Sequence, residues 1–350
     1  MKSAVAWISS IRVKHADMST ICASNIALIS CSEMETVIDL EIPTHEPVLV
    51  LNGFLDTDSS IKVSVSHSAG AFDNANPSFI RNAEALLFEN DIFVDSLVTN
   101  LDELQTIYIN DENYNSIPLS MYYYKSDFIP KSEKTYKIEV NHPDYNSINA
   151  TTFIEKGLNI YDLSIDSLSN VEKINFTFSF DDNANKQNYY RLKLFASCEK
   201  SDDYWGYGGY GGYGGYGGGG EPGYGKFRGV VEMQSNDPSF PQTELIPENG
   251  YTFTGEQVIF SDALFNGQKK TVSVDVETYF KLNDCDTISF EFSTFSEDTY
   301  SYFISLGEHR DKGELGIFGG EVIPVYSNVY NGLGVLISVN SQQFFVKPTQ

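Results

Sequence analysis

The chain is short of cationic side chains. In 350 residues, 23 Lys and Arg stand against 48 Asp and Glu, a formal net charge of −25. That shortage argues against a protein that tracks nucleic-acid phosphates, which needs clustered Lys and Arg. Long apolar runs are missing too: no stretch of about 20 apolar residues occurs, so no helix is expected to span a bilayer. The signatures of common chemistries are also absent. There is no Gly-x-Ser-x-Gly elbow, no His-Glu-x-x-His, no P-loop, and no Gly-x-Gly-x-x-Gly opening a helix. His45, His67, His142 and His309 are too scattered to suggest a metal cluster. Asp181-x-Asn183-x-Asn185 mimics the start of a calcium loop, but Lys186 stands where the loop needs Gly, and Leu192 where it needs Glu. No metal, cofactor or catalytic residue is therefore expected, and the chain reads as a non-enzyme. Two catalytic acids on distant strands would leave no sequence pattern, so an enzyme stands as the third reading.

Aromatic residues are plentiful at 14%, with 22 Tyr and 24 Phe, which suits pleated β surfaces. With 41% hydrophobic and 20% charged residues, the chain can bury more than one core despite its acidity. Charge is unevenly placed. Residues 1–30 hold Lys2, Arg12 and Lys14 against Asp17, a local charge of +2, which leaves −27 on the remaining 320. A basic start followed by an apolar run is the layout of a secretory signal.

The apolar run 21–30 ends in Leu28-Ile29-Ser30-Cys31, which resembles a bacterial lipobox. Cleavage before Cys31 and attachment of acyl chains to that residue would anchor the chain to a membrane, several acyl chains holding far better than one. The competing reading is an ordinary cysteine in a strand. Ser32-Glu33-Met34-Glu35 resembles the acidic tag that sends some lipoproteins to the outer face of the outer membrane. With Cys22 removed and Cys31 acylated, Cys198 and Cys285 remain, which permits one disulfide; two buried free thiols are the alternative.

Residues 31–45 read as a tether, with Pro43 and Pro47 resisting helix. Strand signals then recur. Ile61–His67 alternates with period two, 83–94 reads as a hairpin turning at Glu89-Asn90-Asp91, and Tyr136–Phe153 reads as strand–turn–strand around Pro143-Asp144. Short strands at this spacing predict an immunoglobulin-like β-sandwich over 46–155. The second half, 156–350, is predicted to be a larger β domain. Lys173–Phe180 alternates cleanly, Asp181–Asn185 turns, and Tyr189–Ala196 is expected to return as its hairpin partner. Asp298–Leu306 reads as a short helix packed on the sheet. The fold class predicted is mostly β, in two sandwich domains.

A Gly/Tyr-rich insertion at 200–228 interrupts the second domain. Residues 204–225 hold 13 of the 27 glycines and six tyrosines, with Trp205 beside them, and Tyr207, Tyr210, Tyr213 and Tyr216 recur every three residues. So much glycine has too much backbone entropy to lose for a packed element, so an exposed, mobile loop is expected. Its rings suit contact with a sugar, a peptide or a partner's rim. The bland alternative is a tolerated expansion at a loop tip.

Several stretches in order resemble a family of uncharacterised outer-membrane lipoproteins of Bacteroidota, a domain of unknown function. These are Cys31 with Val37-Ile38-Asp39-Leu40, the run Leu49–Leu55, the hairpin at 83–94, the Tyr136–Phe153 unit, and most specifically 324–335, PVYSNVYNGLGV. The resemblance implies a lipoprotein often encoded beside a TonB-dependent receptor and serving nutrient uptake, and Cys31 is the one functional position that it carries over. In the terminal motif, Asn331-Gly332 reads as a tight turn and Gly334 as a close backbone approach. The function expected is a lipid-anchored, non-enzymatic binding or accessory subunit of the outer membrane, facing the cell surface or the periplasm, partnered by a TonB-dependent receptor. The alternative is a structural or adhesive surface lipoprotein.

Overall fold

A computed structural model describes residues 45–70, 79–102, 104–110, 116–167, 173–199, 226–243, 250–277, 285–313 and 323–346. The first half contributes β1 (Leu49–Asp56), β2 (Ile61–His67), β3 (Glu84–Glu89), β4 (Ile92–Thr99), β5 (Gln105–Asn110), β6 (Ser116–Met121), β7 (Tyr124–Ser126), β8 (Lys134–His142) and β9 (Tyr145–Ile154). Then follow β10 (Tyr161–Ser167), β11 (Lys173–Asp181), β12 (Tyr189–Glu199), β13 (Lys226–Val231), β14 (Met233–Ser235), β15 (Phe253–Gly255), β16 (Gln257–Ser261), β17 (Lys269–Glu277) and β18 (Cys285–Phe295). Helix α1 (Glu297–Gly313), β19 (Val329–Tyr330) and β20 (Leu333–Val346) complete the series. The protein is mostly β, as its composition and periodicity predict. Among the described residues no helix is long and apolar enough to cross a membrane.

A 13-stranded sheet runs β13-β12-β18-β20-β1-β2-β7-β4-β3-β8-β9-β19, with β16 also pairing β12. It turns a corner at β4, which pairs β3 along Ile92–Leu97 but β7 at Val98 and Thr99. The sheet thereby folds back on itself, and Leu51, Val63, Leu87, Ile138 and Ile148 fill the space between its two leaves. Period two produces this directly: Ile61, Val63 and Val65 go inward, while Lys62 faces water. The β3–β4 hairpin forms at the expected turn, where Asn90 and Asp91 both adopt positive φ (51° and 64°), the pattern of a two-residue hairpin loop. Tyr136 is fully buried at the start of β8. Its hydroxyl donates to Glu89 Oε2 (2.6 Å) and accepts from the Lys131 N–H (2.8 Å), five residues upstream.

The second core lies between the β12/β18 region of that sheet and a five-stranded sheet, β10-β11-β17-β14-β15. Here one expectation is corrected. β11 and β12 do not pair as a hairpin: β11 pairs β10 and β17, while β12 pairs β13, β16 and β18. Both strands carry large apolar side chains on one face, and those faces are buried by opposing each other across the sandwich. Phe180 and Tyr190 meet at 5.0 Å, Phe178 and Phe292 at 5.1 Å, and Phe176 and Phe290 at 4.7 Å. Segment 182–188 is thus an arch between sheets. Within it, Tyr190 Oη and the Gly267 N–H both donate to Asp182.

α1 is longer than the sequence pattern indicates. Ser296 caps it, its Oγ accepting from the Thr299 N–H (3.3 Å), and Glu297 and Asp298 supply the negative charge that a helix start favours. The helix covers the outer face of the large sheet, Tyr300 stacking on Tyr189 at 4.3 Å and Phe303 on Phe295 at 5.6 Å. Beneath it the buried Arg191 is paired to Glu291 Oε1 (2.7 Å). Burial lowers the guanidinium's pKa, and the Glu291 charge opposes that shift.

β20 belongs to both cores. Leu333–Val339 runs parallel to β1, and Val339–Val346 runs antiparallel to β18. Where it changes partner, Ser338 would be left with an unpaired N–H and C=O. Thr299 of α1 supplies the missing partner, its Oγ1 accepting from Ser338 N–H (3.1 Å) and donating to Ser338 O (2.8 Å). Residues 155–158, which join the halves, are also tied down: Asn340 Nδ2 donates to Glu155 O, and Leu158 N–H donates to Gln342 Oε1.

The terminal motif behaves as its residues predict. Asn331 turns the chain at φ 58°, and Gly334 has φ 101°, with the position a Cβ would take only 2.1 Å from Leu51 O. Gly334→Ala is expected to lose at least about 4 kcal/mol in urea unfolding, because strain and a backbone clash coincide. Gly250→Ala is the control. Its φ is 83° but nothing lies within 4 Å, and strain alone should cost about 1 kcal/mol.

Candidate functional site: a polar groove on the smaller sheet

The five-stranded sheet buries Ile174, Phe176 and Phe178 of β11 and Val272, Val274 and Val276 of β17. The alternate residues must then face outward, and they are polar. Asn175 pairs with Asp275, Thr177 with Ser273, and Ser179 with Thr271 across the two central strands, and Gln234 of β14 continues the first row. The 236–243 and 250–252 segments rise beside this surface. They enclose a groove of about 360 Å³ lined by Asn175, Gln234, Asp237, Tyr251, Lys270 and Asp275, among other residues.

Most of its groups are held in place. Asp275 accepts from Asn175 Nδ2 (2.7 Å) and from Tyr251 Oη (2.6 Å), so the phenol ring is fixed over the sheet. Asn175 Oδ1 in turn accepts from Thr177 Oγ1 (2.8 Å). Lys173 Nζ reaches Gln234 Oε1 (3.4 Å) and lies 5.1 Å from the centre of the Tyr251 ring. At the other end, Asp237 is gripped by Lys270 Nζ (2.6 Å) and by the N–H (2.9 Å) and Oγ (2.7 Å) of Ser239. The side chains of Lys270 and Asp237 are only 13% and 11% exposed. A row of amides, hydroxyls and carboxylates on a rigid sheet, with one positioned ring, suits hydrogen-bonded recognition of a small polar solute. No nucleophile–base pair is built there among the described residues.

His67 and His142 each pack against Tyr145, with ring centres 6.2 and 5.2 Å away, His309 Nδ1 donates to Ile323 O (2.6 Å), and exposed His45 bonds Ser68 Oγ (2.8 Å). Among the described residues no group of three or more His, Cys, Asp or Glu could hold a metal ion. Asp262 is buried in the arch region. It accepts from Asn188 N–H (2.9 Å), while its Oδ1 has no partner. Burial raises its carboxyl pKa, the nearby Asp182 charge adding to the rise and the Asn188 donors opposing it.

Of the positions singled out in the sequence, Cys31, Trp205, Tyr207, Tyr210, Tyr213 and Tyr216 lie outside the described residues. Cys198 and Cys285 fall in β12 and β18, as direct partners in that pair's register. The groove is what the sequence did not reveal. Its members come from segments about 100 residues apart, and only the polar phase of two alternating strands foreshadows it.

Fold and groove together define a mostly β, two-core protein with a polar groove on its smaller sheet. The chain belongs to the family described as Domain of unknown function (DUF4249), whose model matches residues 35–344. None of the curated proteins matches the chain.

Two outcomes are expected. Lys270→Met strips the half-buried Asp237 carboxylate of its cation and should cost about 3 kcal/mol in urea unfolding, whereas Lys269→Met, at an exposed pair with Asp162, should cost under about 1 kcal/mol. For Asp262 the folded pKa is raised above the unfolded one. Its contribution therefore favours folding at low pH and is lost as pH rises through the raised value. Asp262→Asn should flatten the fall of Tm between pH 4 and 7; an unchanged slope would remove Asp262 from that account.

Proposed function

We propose that this protein is a lipid-anchored outer-membrane protein of Bacteroidota that faces the cell surface. There it serves as a non-enzymatic binding or accessory subunit beside a TonB-dependent receptor in nutrient uptake. The groove carries the reading: its carboxylates are committed to Asn175, Tyr251, Lys270 and Ser239, which equips it to hold a polar solute rather than to move protons. The placement of Cys31 supports anchoring. It lies just ahead of the family match at residue 35, and 17 residues separate it from β1 at Leu49, enough chain for a tether. The first sandwich reads as immunoglobulin-like, on its strand order β1-β2-β7 against β4-β3-β8-β9 and on the Tyr136 hydroxyl closing the corner into β8.

Affinity isolation of the tagged protein from detergent-solubilised outer membranes tests this. A TonB-dependent receptor should co-purify in near-equal amount, and Cys31→Ala should move the protein to the soluble fraction and abolish the co-purification. A protein that sits in the outer membrane but never brings down such a receptor refutes the accessory role. A Cys31→Ala protein that stays membrane-bound refutes the anchor.

A further inference from the structure

We propose that Cys198 and Cys285 form a disulfide that ties β12 to β18 at the root of the Gly/Tyr segment. Beyond Cys22 and Cys31 these are the only cysteines of the chain, so one intramolecular pairing exists for them. They lie 87 positions apart in sequence, yet the ladder makes them direct cross-strand partners.

The register around them is irregular in an informative way. From Tyr189↔Phe295 to Ser197↔Thr287 the two strands advance one residue for one residue; the next pair is Cys198↔Cys285, and Asp286 is skipped. Without that bulge, Cys198 would oppose Asp286, and Cys285 would oppose Glu199. The shift in register makes the two cysteines direct Cα partners. Directly opposed residues of an antiparallel pair share a face and have Cα atoms about 4.5–5.5 Å apart, inside the span of about 4.4–6.8 Å that a disulfide bridges.

The position gives the bond a task. Cys198 is the penultimate residue of β12; the last, Glu199, pairs with Lys226 of β13. β12 therefore ends at Glu199 and β13 begins at Lys226, one rung beyond the cysteines. On the far side, β18 begins at Cys285 itself. A covalent rung there would hold the end of the β13-β12-β18 array closed.

Formation follows thiol–disulfide exchange. The Cys198 and Cys285 thiols lose two protons and two electrons to an organic disulfide, the new S–S bond forms, and two molecules of the corresponding thiol are released. Such an oxidant belongs to an export compartment, so the bond's presence in cells, though not its geometry, rests on the reading above.

Peptide mapping of the full chain tests the pair. The protein is alkylated in denaturant without reduction and digested with trypsin. The expected product joins Leu194–Lys200 to Leu282–Arg310 and separates on reduction. Finding both peptides alkylated, in protein from the outer membrane and again after incubation of the folded chain with glutathione disulfide, overturns the proposal. A bond that forms with glutathione disulfide but is absent from cells upholds the geometry and counts against export. Reduction should lower Tm by about 5–10 °C, to the value of the Cys198→Ala/Cys285→Ala double variant, which should itself be insensitive to reductant. Equal sensitivity of the double variant would place the effect elsewhere.

Discussion

The parallel ladder between β1 and β20 is the joint on which the rest of the molecule hangs. Each core is incomplete without β20. Leu336 packs into the first, while Phe344 packs against the second. The ladder permits almost no filling at its closest point, where Gly334 meets the carbonyl of Leu51. The change of partner at Val339 would leave backbone groups of Ser338 unpaired in the interior. A single hydroxyl, that of Thr299, satisfies both, so α1 is fixed to the sheet by the same residue that makes the crossover tolerable.

The two cores solve the burial problem with different materials. The first is mainly aliphatic and gains its leaves by bending one sheet at β4. The second relies on Phe and Tyr in edge-on and stacked contact, and it takes up ten of the chain's 24 phenylalanines. Rings of that size bring two sheets to a firm separation with few residues. Because the inward phase of β11 and β17 is so completely apolar, their outward phase is free to be polar, and the groove follows from this division. Its carboxylates do not stand in isolation. Asp275 and Asp237 are each the centre of a small hydrogen-bonded set, so the surface presents fixed acceptors and donors.

Much of this architecture was legible from local pattern. Ile61–His67, Lys173–Phe180 and the turn at Asn90-Asp91 state their own conformation, because period-two alternation and turn chemistry act over a few residues. Gly334 was legible for the same reason: a glycine just after Asn-Gly, inside an apolar run, signals a close approach. Pairing partners were not legible. β11 and β12 look like a hairpin, being consecutive and both alternating, yet two faces this aromatic are better buried against each other than placed side by side. Nor does any spacing rule announce that Leu51 pairs with Gly334, or that Asn175, Tyr251 and Asp275 converge. Such sites are assembled by topology, and a sequence read locally holds only the polar half of an alternation as a hint.

The closure of the large sheet also governs the order in which the molecule is assembled. β1 is made near the start of the chain, and its parallel partner lies some 280 residues later. Until β20 arrives, one edge of β1 is a bare row of N–H and C=O groups, a ready template for the wrong strand. Closing so long a loop is slow, and it delays consolidation of both halves at once. The molecule therefore gains its final cooperativity in one late event, and during the wait it has most to gain from a chaperone that shields an open strand edge.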